Sequence, residues 1–415
     1  MKPFATKAAR ITGMAGLLAA AIGGAALAVG DANPDYVQVK AGRAQAVIAD
    51  CMGCHTRPGG ELFAGGLALE TPFGKITGPN ITVDEETGIG SWTREEFRNA
   101  VKHGRRPDGK LLYPAMPYVN YARMSDDDVD RIWDYLQTVQ PVHARSEGNQ
   151  LSWPFNIRAL IAGWNMLYFK ALPAAPADKS GEWKRGDYLV NGPGHCDTCH
   201  TPKSFLGGNA GVALSGATLQ GWFAPNITKD SQRGVGGWSV EDVVQYMKTG
   251  HNNYSMATGP MAEVIENSTS LMDDADLRAI AVYLKDAGSS GGAAVARVDM
   301  NEARMKAGLG IYRDNCAACH NDDGKGQSII FPPLQGNPII SQTNVDTITR
   351  VVLAGTQSAG TVGAPTKPSM PAFAWRLNDA QVADVLTYVR GTFGNAGAVS
   401  PGTVQTIRQN LQSRR

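Results

Sequence analysis

The hydrophobic pattern of this chain repeats three times. Apolar residues spaced i, i+3, i+4, i+7 mark one helix face at Val129, Ile132, Trp133 and Leu136, at Leu277, Ile280, Ala281 and Leu284, and at Val382, Val385, Leu386 and Val389. Tyr135, Tyr283 and Tyr388 hold one matching place in the three runs. Ser125, Asp273 and Asn378 each stand four residues before the first apolar position. A side-chain oxygen there can accept from the unpaired N–H groups of a first turn, so the spacing predicts three capped helices. A shorter helical stretch lies upstream of each, for example Gly308 through Tyr312, and a long aperiodic stretch separates the two. The pattern predicts an all-α fold of three tandem units at 36–144, 181–290 and 301–395, with long irregular loops. An aromatic-rich linker (145–180), a short linker (291–300) and a polar C-terminal tail (396–415) complete the division.

Residues 1–28 carry Lys2, Lys7 and Arg10 and no acid, and an apolar run from Ile11 ends in Ala26-Leu27-Ala28. That is the layout of an export signal. An uncleaved membrane anchor is the alternative, because the 19 residues from Ile11 to Val29 approach spanning length. Removing the three basic residues takes the formal charge from +1 to −2, which argues against an electrostatic nucleic-acid binder. The 48 glycines and 23 prolines in 415 residues point to compact units rich in loop.

All six cysteines fall in pairs followed at once by histidine: Cys51-Met52-Gly53-Cys54-His55, Cys196-Asp197-Thr198-Cys199-His200 and Cys316-Ala317-Ala318-Cys319-His320. An exported chain with an even cysteine count would ordinarily pair them as disulfides. The C-x-x-C-H spacing serves another chemistry. Two thiols each join a haem vinyl group, and the next residue turns its imidazole under the ring to bind iron. Structural zinc would need four ligands per site, and a thioredoxin-like dithiol would not need the histidine. The motifs therefore predict three covalently attached haem c groups, held by Cys51, Cys54, His55, Cys196, Cys199, His200, Cys316, Cys319 and His320.

The second axial ligand is reached by elimination in the third unit. No histidine follows His320, and Met370 is the only later methionine. Met116 and Met261 both lie 61 residues after their motif histidine, which favours them in the first two units. Met124 and Met272 directly precede the helix caps, a place where the third unit has Leu377, and read as core. His103, His251 and Met256 stay open as rivals. Thioether ligation raises a haem potential and closes the iron, whereas an open site would suit O2 or peroxide chemistry.

The first two units also share Pro79-Asn80-Ile81-Thr82 with Gly88 through Thr93 and Pro225-Asn226-Ile227-Thr228 with Gly234 through Ser239, where the third has Phe331-Pro332-Pro333-Leu334. With these strings, and with Tyr113 through Tyr118, Gly186 through His200 and Gly259 through Glu263, the chain resembles the tri-haem cytochrome c subunits of bacterial membrane-bound periplasmic dehydrogenases. These oxidise alcohols, sugars, polyols, gluconate or aldehydes. The resemblance implies class I-like cytochrome c domains, a relay role and proximal ligands His55, His200 and His320 with distal Met116, Met261 and Met370. It implies as partners a catalytic flavin, pyrroloquinoline quinone or molybdenum subunit, a small third subunit, ubiquinone and the outer face of the cytoplasmic membrane. A free periplasmic multihaem carrier and a multihaem peroxidase are the alternatives. Unlike some members of that family, the chain has a polar, basic end from Thr403 to Arg415 in place of a membrane helix. Membrane contact is then expected at the linker from Trp153 to Phe169, whose other reading is packing between the first two units or against the dehydrogenase.

Overall fold

The computed structural model describes residues 36–170, 173, 175–288, 303–327 and 329–413. The expected export signal and the 291–300 linker lie outside them. The three closing helices span Asp126–Leu136, Asp274–Leu284 and Asp379–Phe393. Ser125 Oγ accepts from the Asp128 amide at 3.0 Å. Asn378 exchanges side-chain bonds with Gln381 in a full capping box. Asp273 takes the extended N-cap backbone conformation but makes no side-chain capping bond. The predicted start is right there while the capping bond is absent, and Asp274 and Asp276 supply favourable charge to the first turn instead.

Leading helices Tyr36–Ile48, Gly181–Asn191 and Ala303–Asn315 pack across the three closing helices in turn. At each crossing a glycine, Gly42, Gly186 or Gly308, lies against the partner backbone and the Cβ of Tyr135, Tyr283 or Tyr388. The matching tyrosine place in the sequence is thus the point where the two helices touch. Each closing helix buries its apolar face in its own cluster, around Leu136, Leu277 and Leu386. Ile48, from the first leading helix, is buried in the second of these clusters.

The stretches read as irregular contain small antiparallel sheets. Ala68–Thr71 pairs with Gly74–Thr77, which also pairs with Gln150–Leu151 from the linker. Ala217–Leu219 pairs with Trp222–Ala224, and Thr356–Gln357 with Ser369–Met370. Strands of two to four residues are too short to show a period-2 pattern.

Two segments read as connections are built into the structure. Residues Pro401–Gln412, expected as a polar tail, form a helix that buries Val404 in the third cluster. Arg408 fastens it by donating to Asp379, Ala374 O and Leu377 O. The linker forms helix Ile161–Tyr168, seated on the first unit through buried Ile161 and the Tyr118 hydroxyl, which donates to Asn165 Oδ1 at 2.7 Å. Among the described residues no helix is long and apolar enough to cross a membrane.

Candidate haem centres

Each motif ends in a short helical turn that buries its histidine: Cys51–His55, Asp197–His200 and Ala317–His320. The ring Nδ1 lies 2.8 Å from Pro79 O for His55, 2.6 Å from Pro225 O for His200 and 3.0 Å from Pro332 O for His320. A carbonyl only accepts, so Nδ1 carries the proton and the Nε2 lone pair is free for a metal. Burial lowers all three imidazole pKa values, which favours this neutral form. A glycine amide closes each turn onto the histidine carbonyl: Gly65 to His55 at 2.7 Å, Gly216 to His200 at 2.7 Å and Gly326 to His320 at 3.0 Å. All three glycines have positive φ (76°, 95° and 62°), which side-chain-bearing residues rarely adopt.

None of the six cysteines is disulfide-bonded. Burial pushes the thiols of Cys51, Cys54 and Cys196 up to about 12 and Cys316 to about 11, so they stay protonated rather than offering thiolates. Among the described residues no group of three or more His, Cys, Asp or Glu side chains is arranged to hold a metal ion. Two unpaired thiols beside a histidine with a fixed tautomer are what haem c requires, and all three motifs fit it.

Family models agree at two of the three motifs. Residues 305–393 match Cytochrome c, and residues 38–136 match Cytochrome C oxidase, cbb3-type, subunit III. The chain is 38% identical to the cytochrome c subunit of alcohol dehydrogenase (quinone) from Gluconobacter oxydans, over 94% of this chain and 87% of that one. It belongs to the dehydrogenase cytochrome c subunits. The gluconate 2-dehydrogenase cytochrome c subunit of Pantoea cypripedii is also 38% identical, over 92% of this chain and 91% of its own. So is the fructose dehydrogenase cytochrome subunit of Gluconobacter japonicus, over 89% and 82%. As a member of this family, the chain carries cytochrome c domains, and such domains hold covalently bound haem c.

Around the centres of this cytochrome subunit, the methionines separate by environment. Met124 and Met272 are buried in the first and second cores, as Leu377 is in the third. The Leu112 amide donates to Gly104 O and the Ala257 amide to Gly250 O, each at 2.7 Å after a helix that ends in that glycine. Superposing these bonds puts Met116 opposite Met261 and Leu111 opposite Met256. His103 is exposed at the end of helix Arg94–His103, and His251 Nδ1 lies 2.8 Å from Thr249 Oγ1. Met116 and Met261 are half-buried, Met261 in the first turn of helix Pro260–Asn267, and Met370 lies in a strand paired with Thr356.

The first two centres share a boundary. Tyr121 donates its hydroxyl to Ala49 O at 2.6 Å beside the first motif, and its ring meets that of His195 beside the second with centroids 5.6 Å apart. Asn120 donates to Asp197 Oδ1, inside the second motif, at 2.6 Å. Helix Pro260–Asn267 packs on the first motif turn. The third unit docks on the second through Ala359, buried against Ala257, Ala262 and Ile265, and through Glu266, which accepts from the Gly360 amide and pairs with Lys367, both at 2.6 Å.

Sequence reasoning did not assign the three proline carbonyls. Their strings stood out as repeats at Pro79 and Pro225 and as the replacement Phe331-Pro332-Pro333-Leu334. A backbone acceptor 24, 25 or 12 residues from its histidine leaves no side-chain signature.

Proposed function

We propose that this chain is the tri-haem electron-transfer subunit of a periplasmic dehydrogenase complex attached to the outer face of the cytoplasmic membrane. It would relay electrons from a flavin, pyrroloquinoline quinone or molybdenum catalytic subunit to ubiquinone and the respiratory chain. The observation that carries this reading is the triple repetition of one arrangement: a motif histidine with Nδ1 donating to a proline carbonyl and Nε2 left open. The relatives support the complex, since they are named as dehydrogenase subunits and one of them as quinone-dependent. Three tandem class I-like domains, each with its own core, are the matching architecture.

Haem c supplies reversible one-electron transfer when attached. The protein's part would be to hold each haem through two cysteines, orient the motif imidazole through the proline carbonyl, and offer Met116, Met261 or Met370 as the second iron ligand. Closed sites in a buried, preorganised frame favour transfer over ligand chemistry. This makes the chain a conductor, and substrate oxidation belongs to its partner.

Haem stoichiometry and reduction test the proposal together. The purified protein is expected to carry three haems, to lose one in each of His55→Ala, His200→Ala and His320→Ala, and to be reduced by the co-purified dehydrogenase on addition of its substrate. Fewer than three haems, or stoichiometric carbon monoxide binding by the reduced protein, would overturn it.

A further inference from the structure

One face of the chain carries a cluster of exposed apolar side chains. Met166, Phe205 and Trp153 are 84%, 87% and 78% exposed, and Leu160 and Leu167 are also exposed. They come from two segments that the fold locks together. Trp164 Nε1 donates to Leu206 O at 3.0 Å, and the Tyr168 hydroxyl lies 2.8 Å from Ser204 Oγ. Phe155 packs on Phe73 with centroids 4.5 Å apart, and Phe73 in turn lies beside Gly207.

Helix Ile161–Tyr168 explains why these side chains point outward. Ile161, Trp164, Asn165 and Tyr168 repeat at i, i+3, i+4 and i+7 and face the protein. The opposite side of the segment carries Leu160, Met166 and Leu167 where a surface helix would carry polar residues. Both faces are apolar, and only one is covered.

The two segments carry basic residues and no acid. From Leu151 to Ala177 there is no Asp or Glu, only Arg158 and Lys170. From Thr201 to Gln220 there is again no acid, and the one lysine, Lys203, is half-buried and held by Asp197 O and Asn209 Oδ1. Arg158 donates to Leu111 O, next to the exposed loop that holds Arg105, Arg106 and Lys110 against the single carboxylate of Asp108. Separately protruding aromatic, leucine and methionine tips beside a net-basic rim, where Arg105, Arg106, Lys110, Arg158 and Lys170 outnumber Asp108 and Glu70, match an anionic bilayer interface, where tips enter the acyl boundary and cations meet phosphate.

We infer that this face, built from 153–168 and 204–208, seats the protein on anionic phospholipid. The inference rests on the reading of the chain as a membrane-attached relay and names the surface that makes the attachment.

The test uses the haem-loaded protein and vesicles of phosphatidylethanolamine with phosphatidylglycerol. A nitroxide on Phe205→Cys is expected to lose accessibility to a water-soluble relaxation agent and to gain accessibility to oxygen when vesicles are added. The triple variant Met166→Ser, Leu167→Ser, Phe205→Ser is expected to bind the vesicles roughly tenfold or more weaker, with haem content and reduction by the dehydrogenase retained. A label that stays in water on vesicle-bound protein, or a triple variant that binds normally, overturns the inference. A triple variant that binds vesicles normally but is no longer reduced by the dehydrogenase would assign the face to that protein instead. Failure of the unmodified protein to accept electrons would count against the relay reading alone.

Discussion

Gly308 lies so close to Tyr388 that a methyl group added to the glycine would stand 2.7 Å from the tyrosine Cβ and 2.2 Å from the Asp384 carbonyl oxygen. Gly42 and Gly186 meet Tyr135 and Tyr283 in the same way. A backbone oxygen cannot step aside as a side chain can, so Gly308→Ala must separate the two helices. It is expected to destabilise the third unit by about 1–3 kcal/mol. Gly310, two residues on in the same helix, faces open space, and Gly310→Ala is expected to stabilise by about 0.5–1 kcal/mol. Guanidinium unfolding followed by far-ultraviolet circular dichroism separates the two variants. Equal stabilities would show that the crossing is not tight.

Arg123 of the first unit donates to Asp187 of the second at 2.6 Å, and both side chains are largely shielded from water. Among the described residues, Arg123→Ala leaves the carboxylate with Asn191 Nδ2, at 2.8 Å, as its side-chain donor. The expected cost is about 1–3 kcal/mol, because a shielded charge loses its partner. Asp187→Asn removes the charge but keeps an acceptor, and should cost less than Arg123→Ala. Thermal unfolding that ranks them the other way would contradict this account.

Asp50, directly before the first motif, has its pKa raised to about 7 by burial, opposed by the Gly53 backbone N–H and helped by the charge of Glu263. Its Oδ1 has no hydrogen-bond partner among the described residues. The unfolded chain ionises this group near the ordinary aspartate value. Its stabilising contribution is therefore whole below that value, falls as pH rises, and is lost above about 7. Asp50→Asn is expected to match the parent at about pH 4 and to exceed it at about pH 8. Urea midpoints across that range give the answer, and parallel profiles for the two proteins would refute it.

The choice among methionines can be read spectroscopically. Met261→Leu is expected to remove one iron's share of the methionine-to-iron charge-transfer absorption and to lower that haem's potential. Met272→Leu and Met256→Leu should leave both unchanged, since Leu377 and Leu111 stand at the matching places. If Met256→Leu alone abolished the absorption, the axial assignment in the second unit would move to Met256.

The helical frame was legible because it is written in local terms. Caps at Ser125 and Asn378, apolar faces and the tyrosine column all act within a few residues of each other, and the three helices begin where the spacing put them. The hairpins and the packed C-terminal helix were not. Strand pairs such as Leu219 with Trp222 are too short to carry a period, and Val404 finds its burial in a core formed by other segments. The linker packs between the first two units, as one of its two readings had it: Tyr118 of the first and Leu206 and Ser204 of the second hold its helix. Its Ile161 face packs inward, while Met166 and Leu167 stay exposed.

What the sequence by itself determined is the chemistry: three C-x-x-C-H motifs, the histidine in each and the small set of methionines that could oppose it. These follow from residue type and spacing, which covalent attachment imposes on contiguous residues. Only the tertiary structure decided which proline carbonyl orients each imidazole, and that Asn120 and Tyr121 bridge the first two motifs. It also brought Trp153, Met166 and Phe205 onto one surface. Those relationships join residues far apart in the chain through backbone groups and shape, and none of the three is encoded in the identity of a neighbouring residue.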